Sequence, residues 1–241
     1  MPDPTPPDVI LLAAGLGKRM SALTDQTPKP LIKVDGRALI DRAVENCMNE
    51  GCNQFAINIH HHMDQMRHHI EHMMQENPDV GFFVSEEREA LLDTGGGAKK
   101  AVSLIRSDPV LVVNSDTFWQ SGSDKPIVRM MDQFAQGAEI VLLCALPERA
   151  VGFRRSHDFC LAPDKHVTND RGVPVIHAGS ALISRALLEM APDGAFSLYD
   201  LFVKAQQRGT LHGVLLDASW FHVGDAKAID EVEMALAGNK E

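Results

Sequence analysis

Short, wholly apolar runs alternate along this chain with longer stretches in which apolar residues recur every three or four positions. Val9-Ile10-Leu11-Leu12 is the first of the runs, and four consecutive apolar residues suit a strand buried on both faces of a parallel sheet. Phe55 to Ile59, Gly81 to Ser85, Val110 to Val113, Glu139 to Leu146, Val175 to Ile183 and Thr210 to Asp217 read as further strands. Leu39, Ile40, Ala43, Val44, Cys47 and Met48 fall at helical spacing, which predicts a helix over Ala38 to Gly51 with Gly51 as its C-cap. Met63, Met66, Ile70, Met73 and Met74 form one stripe of a second helix that ends before Pro78, and these methionines are expected in the core. Helices are also predicted over Ala98 to Ile105, Lys125 to Gln136, Ser184 to Met190, Ser197 to Arg208 and Ala226 to Leu236. Glu86-Glu87-Arg88-Glu89 reads as a solvated turn. The short strand His157 to Leu161 reads as part of an antiparallel excursion from the main sheet.

A length of 241 residues with 44% apolar residues suits one well-cored α/β domain. Residues 1–8 are expected to be a flexible lead-in, with residues 9–241 forming the domain. A formal charge of −10 argues against nucleic acid or an anionic membrane as partner. Lys18, Arg19, Lys29, Lys33 and Arg37 nevertheless make the first forty residues locally basic. An anionic ligand bound there relies on short-range contacts and a metal ion. Cys47, Cys52, Cys144 and Cys160 form no C-x-x-C pair, so reduced cytosolic thiols are expected. The start has no positive n-region, and no stretch approaches the length of a membrane span, so a cytoplasmic protein is expected.

Candidate chemistry begins directly after the first strand. Ala13, Ala14, Gly15 and Gly17 allow a tight turn and close backbone approach. Lys18 and Arg19 follow, and Lys29 stands between Pro28 and Pro30. A strand, a turn exposing N–H groups and fixed cations together make a cradle for a polyphosphate. Met20 stands where the dinucleotide fingerprint needs its third glycine, and the lysine-serine/threonine ending of a P-loop is absent. Gly95-Gly96-Gly97 precede a predicted helix, where glycine is costly unless backbone must approach something closely. Asn114-Ser115-Asp116 close a strand at the edge where open α/β sheets hold ligands, though a carboxylate there also serves as a turn cap. His60, His61, His62, His68, His69 and His72 cluster without an acidic or cysteine partner to complete a zinc set, while His60 or His61 stands where a ligand can reach it. Arg154, Arg155 and Lys165 are candidates for a sugar phosphate or simply solvated surface.

The strings Leu12-Ala13-Ala14-Gly15-Leu16-Gly17-Lys18-Arg19-Met20 and Pro28-Lys29-Pro30-Leu31 resemble the signature of the sugar-1-phosphate nucleotidyltransferases, which make nucleotide-activated sugars. The resemblance extends from Val9 to about Leu236. It implies a Rossmann-like three-layer α/β/α sandwich with a mostly parallel mixed central sheet, of the nucleotide-diphospho-sugar transferase type. It implies a nucleotide site built from Leu12, Ala13, Ala14, Gly15, Gly17, Arg19, Lys29, Gly95, Gly96 and Asn114, with Arg19, Lys29 and Asp116 as the catalytic set. In the family a glutamate usually precedes Thr-Gly-Gly-Gly, where backbone abuts the nucleobase; here Asp93 stands in that place. Asp116 matches the aspartate that binds magnesium.

Trp220-Phe221-His222-Val223-Gly224-Asp225 resembles the family's Trp-x-Asp-x-Gly-Thr motif, whose aspartate is the second metal ligand, but His222 occupies that position. Three readings stay open. His222 coordinates the ion, favouring manganese; Asp225 supplies the oxygen or merely caps the last helix; or the metal leans on Asp116, phosphates and water. Asp158, Gly179 and Asp225 are the residues the resemblance places on the sugar-phosphate side. In its short length, triple glycine and lack of an added C-terminal domain the chain is most similar to bacterial N-acetylmuramate 1-phosphate uridylyltransferases of cell-wall recycling. UTP and N-acetylmuramate 1-phosphate are therefore the favoured substrates. Mannose 1-phosphate with GTP and glucose 1-phosphate with a pyrimidine nucleotide are the alternatives, and a non-catalytic regulatory protein that binds nucleotide or sugar nucleotide is the alternative of another class.

Overall fold

The computed structural model describes residues 5–120, 122 and 124–238. β1 (Val9–Leu12) leads through 3₁₀ turns at Lys18–Leu23 and Lys29–Leu31 to a hairpin, β2 (Lys33–Val34) and β3 (Arg37–Ala38). Then come α1 (Leu39–Met48), β4 (Gln54–Ile59), α2 (Met63–Glu76), β5 (Gly81–Glu86) and α3 (Asp93–Ala101). β6 (Val110–Asn114), β7 (Thr117–Trp119), α4 (Pro126–Phe134), β8 (Ile140–Ala145) and β9 (Ala150–Val151) follow. The chain closes with β10 (Phe159–Leu161), β11 (Val167–Thr168), β12 (Val173–Ile183), α5 (Arg185–Glu189), α6 (Leu198–Arg208), β13 (Leu211–Leu215), β14 (Trp220–His222) and α7 (Ala226–Gly238).

The apolar runs pair into one nine-stranded sheet. Across it β5, β4, β1 and β6 are parallel neighbours, β12 runs antiparallel beside β6, and β8 and β13 complete the row. β10 and β11 branch antiparallel from the first half of β12. Successive residues of each strand face opposite sides of the sheet. Val9, Leu11, Phe55, Ile57, Leu111 and Val113 pack against α1, α2 and α4. Ile10, Ala56, Val110, Val112, Ile140 and Leu142 pack against α3, α5 and α6. Two buried faces explain why these strands are apolar throughout rather than alternating. The result is the expected three-layer α/β/α sandwich with a mostly parallel sheet.

β1 has one crossover on each side of it, to β4 and to β6. Such a topological switch opens a crevice beyond the carboxyl ends of the strands. A second, three-stranded sheet, β7-β14-β9, stands over one end of that crevice and pairs His222 with Thr117. Its strands are two or three residues long, too short to leave a period in the sequence.

Several expected boundaries differ. α1 ends at Met48 with Asn49 as its C-cap, and Gly51 instead closes the following turn through its N–H to the Met48 carbonyl at 2.9 Å. α3 starts at Asp93, so the three glycines lie inside its first turns and not before it. In the expected solvated turn, Glu87 is buried. Residues 1–4 of the expected lead-in lie outside the described residues. Asp8, also assigned to the lead-in, is tied to the sheet: its carboxylate accepts the Arg106 and Ser107 N–H groups, and its carbonyl accepts Leu111 N–H.

Glu50 caps α4 from outside, its Oε2 accepting the N–H of Ile127 at 2.7 Å and of Val128 at 3.4 Å. Burial outweighs those bonds and the charge of Lys125, and lifts the Glu50 carboxyl to about 7. A carboxyl raised on folding contributes stability that is complete below its unfolded value and is lost as pH rises through 7. Glu50→Gln should therefore gain on the wild type by about 1 kcal/mol between pH 5 and pH 8, with partial exposure damping the effect. Thermal melts across that range check it; parallel curves for the two proteins would refute the assignment.

Candidate active site

The loops leaving β1, β4 and β6 meet in an open crevice of about 330 Å³. Leu12, Ala14, Gly15, Gly17, Lys18 and Arg19 line one wall, and Lys29, Pro30, Asn114, Ser115 and Asp116 the floor. Leu91, Asp93 and Thr94 close the far side. Eight residues expected at the nucleotide or catalytic site thus meet in one cavity: Leu12, Ala14, Gly15, Gly17, Arg19, Lys29, Asn114 and Asp116.

Three expected nucleotide contacts lie elsewhere. Ala13 is buried, and its N–H donates to Asn58 Oδ1 at 2.7 Å. Gly95 and Gly96 lie beneath the surface and donate their N–H groups to the Phe196 carbonyl at 2.8 and 3.3 Å. A Cβ on Gly95 would fall 2.2 Å from the Phe196 ring, and one on Gly96 2.2 Å from the Gly194 carbonyl oxygen. The close approach inferred from these glycines is real, but the 194–196 loop makes it.

At the floor, Lys29 Nζ donates to Asp116 Oδ2, with side-chain exposures of 12% and 21%. His222 Nε2 lies 3.8 Å from the same oxygen. Burial pushes the Asp116 carboxyl up, but the charge and hydrogen bond of Lys29, with the charge of Arg19, outweigh it and hold the group below its ordinary value. Asp116 is therefore ionised at neutral pH. His222 is moved down, first by burial and then, against the pull of Asp116, by Lys29 and Arg19, so its ring is neutral. Two features hold the ring in place: the Trp220 indole lies parallel to it at 5.8 Å, and Gly224 leaves room beneath its edge. Val223 N–H donates to the Asp116 carbonyl at 3.0 Å, locking β14 to the end of β6.

Two further compartments adjoin the crevice. One, about 300 Å³, shares Arg19 and Asn114 with it and adds Thr117, Phe153, Arg154, Arg155, Asp158, His177, Trp220, His222 and Asp225. The other, about 270 Å³, shares Thr94 and Asn114 with it and adds Arg155, Asp158, Phe159, His177, Tyr199 and Phe202. Of the residues expected on the sugar side, Asp158 faces both. Asp225 lines the first, but Arg154 grips both its oxygens and it caps α7 by accepting the Ala228 N–H at 2.9 Å. That arginine hydrogen bond draws its carboxyl down to about 2. The hydrogen bonds of Asp225 are those of a helix cap, one of the two roles the sequence leaves it. Gly179 lies outside the three cavities; it marks a bulge in β12, with φ +79° and a position where a Cβ would fall 2.3 Å from Thr117 Oγ1.

Arg154, a sugar-phosphate candidate, is committed to Asp225 and Glu231. Lys165 sits in the turn between β10 and β11, where its N–H donates to the Ala162 carbonyl. Three of the six patch histidines make structural bonds: His60 Nδ1 meets the Glu87 carbonyl at 2.6 Å, His62 Nε2 the Thr24 carbonyl at 3.3 Å, and His69 Nε2 Asp41 at 2.6 Å. Among the described residues no three of His, Cys, Asp and Glu converge as a metal-holding group.

Two buried residues at the crevice carried no signal in the sequence. Asn58, at the end of β4, donates from Nδ2 to Glu87 Oε1 at 2.7 Å while its Oδ1 holds Ala13. Glu87 Oε2 accepts Leu92 N–H at 2.8 Å, next to the start of α3. A single polar chain thus ties the glycine-rich loop to the opposite wall.

Comparison with known proteins agrees with this geometry. Residues 8–151 match the family model described as nucleotidyl transferase. The chain is 30% identical over 236 residues to an N-acetylmuramate alpha-1-phosphate uridylyltransferase of Caulobacter vibrioides, covering 96% of this chain and 98% of that one. Solved structures share the fold. The inositol-1-phosphate CTP transferase from T. maritima superposes with a TM-score of 0.78 at 16% identity, over 99% of this chain and 98% of that one. HddC from Yersinia pseudotuberculosis, complexed with GMP-PN, gives 0.73 at 20%, over 95% and 99%.

Proposed function

The chain belongs to the nucleotidyl transferase family and is a sugar-1-phosphate nucleotidyltransferase; from that premise we propose that it joins UTP to N-acetylmuramate 1-phosphate, releasing pyrophosphate. The observation that carries the chemistry is the meeting of Arg19, Lys29 and Asp116 in the cavity bounded by Gly15 and Gly17. Near-complete coverage of both chains by the Caulobacter relative supports the choice of sugar and base. A role in cell-wall recycling goes with that substrate. Among the described residues no helix is long and apolar enough to cross a membrane.

In this reading a phosphate oxygen of the sugar phosphate attacks the α-phosphorus of the nucleotide. One phosphorus–oxygen bond forms, and the bond to the β-phosphate bridge breaks. The nucleophile is already an anion, so no general base is required. The neutral His222 ring need not shuttle protons. The difficulty is to bring two anions together and to stabilise charge on the departing pyrophosphate, so catalysis is positioning and electrostatics. The backbone at Gly15 and Gly17 fixes the triphosphate. Arg19, exposed and shared by two cavities, meets it from the mouth. Lys29 meets it from the floor, held there by Asp116.

A divalent ion fits the floor. Magnesium is commonly held by one or two carboxylates plus substrate phosphates and water, and Asp116 supplies one ionised carboxylate with the His222 imidazole beside it. Magnesium or manganese bound there would neutralise phosphate charge as a Lewis acid.

Pyrophosphate release, screened over several triphosphates and sugar 1-phosphates with each metal, tests the reading. The muramate sugar with UTP should give the highest kcat/KM, and a clear preference for another pair would displace it. Lys29→Ala should lose turnover about a hundredfold while remaining folded, because one preorganised cation is removed from the phosphate chain. A wild-type rate in that variant would remove Lys29 from the site.

A further inference from the structure

Of the three cations expected near a sugar phosphate, Arg154 and Arg155 line the sugar side, and Arg154 is tied to Asp225 and Glu231. The Arg155 side chain is 73% exposed, with one edge of its guanidinium held by Asp158 Oδ1 at 2.6 Å and its plane 5.4 Å from the centre of the Phe153 ring. Asp158 in turn is fixed by the His177 N–H at 3.0 Å. The group is therefore a preorganised cation with its remaining donors open to the cavity. It borders both adjoining compartments but not the crevice of Lys29 and Asp116, whereas Arg19 borders the crevice and one of the two compartments. The reacting phosphates belong where Arg19, Lys29 and Asp116 converge. Arg155 stands outside that crevice, where a sugar extending from the phosphate would enter the adjoining space. Beside it the His177 Nε2 atom is buried with no hydrogen-bond partner among the described residues. A hydroxyl or carbonyl on the sugar would satisfy that atom.

We propose that Arg155 is the specificity-determining residue of this enzyme, pairing with a carboxylate carried as a substituent on the sugar ring and not with the anomeric phosphate. The inference rests on the substrate reading above, since the lactyl ether of a muramate sugar supplies such a carboxylate and a plain amino sugar does not. Asp158 orients the guanidinium by holding one edge, which leaves the other edge of the planar fork for a carboxylate in a charge-assisted pair.

The test compares N-acetylmuramate 1-phosphate with N-acetylglucosamine 1-phosphate, which differ by the lactyl group, using UTP and the full chain. In Arg155→Gln the loss of kcat/KM for the muramate sugar should be about 10- to 100-fold, the range of one hydrogen-bonded charge contact. That loss should exceed the loss for the glucosamine sugar at least tenfold and appear mainly in KM. Arg155→Lys, which keeps the charge but not the planar fork, should recover part of the discrimination. Equal losses for both sugars would place Arg155 on the phosphate and overturn the inference while the substrate reading stands. Unchanged values for both would make it solvated surface, with the same consequence. A wild-type enzyme that accepts the glucosamine sugar and refuses the muramate one would overturn the substrate reading and this inference together.

Discussion

Asp116→Asn is expected to lower the rate of pyrophosphate release by at least about a thousandfold, the upper end for a single preorganised electrostatic contact. The substitution keeps the shape of the side chain and leaves the Asp116 carbonyl free to accept Val223 N–H, so β14 stays locked to β6. What it removes is charge. The carboxylate is the fixed partner of Lys29 and the one acidic group that the floor offers a divalent ion. Without it Lys29 loses its anchor at the phosphate chain, and two contributions to catalysis fall together. Folding should survive, because an asparagine oxygen still accepts from the ammonium group. A melting temperature within a few degrees of wild type, with turnover nearly abolished, is the expected pair of results. Turnover within tenfold of wild type would show that the chemistry lies elsewhere.

The floor of the crevice is legible in the sequence because its elements are continuous there. β1 and the glycine-rich turn share nine consecutive residues, and Asn114 and Asp116 sit at the end of an apolar run. Strand burial on two faces leaves an unbroken apolar signal, so the main sheet was legible as well. The small sheet was not. β7, β9 and β14 contribute at most three residues each, and their pairing joins positions about a hundred apart. The glycines before α3 announced a close approach without saying to what. The answer, Phe196 and Gly194, is a tertiary fact. In sequence Asp225 reads as a metal ligand or a cap; in the fold its oxygens accept from Arg154, seventy-one positions away, and from the Ala228 N–H.

Glu87 is the clearest case of a residue whose neighbours in sequence mislead. It stands among Glu86, Arg88 and Glu89, yet it is 1% exposed and accepts two hydrogen bonds from buried or partly buried donors. Glu87→Ala should therefore destabilise the protein by about 2–5 kcal/mol, since both the Asn58 amide and the Leu92 N–H lose their acceptor. For a chain of this length that corresponds to a fall in melting temperature of roughly 5–15 °C. Glu87→Gln keeps the volume but turns an NH2 group toward one of the two donors, so its loss should be intermediate. Glu89→Ala, an exposed change in the same turn, should stay within about 0.5 kcal/mol and serves as the control. The effect should also reach the crevice. Asn58 without its partner no longer fixes Ala13, and the glycine-rich loop that follows loses its registration against the opposite wall. KM for the nucleotide should then rise in Glu87→Gln, under conditions where that variant is fully folded, and stay unchanged in Glu89→Ala. Were Glu87→Ala as stable as the control, the polar chain from Leu92 to Ala13 would have no part in holding the site together.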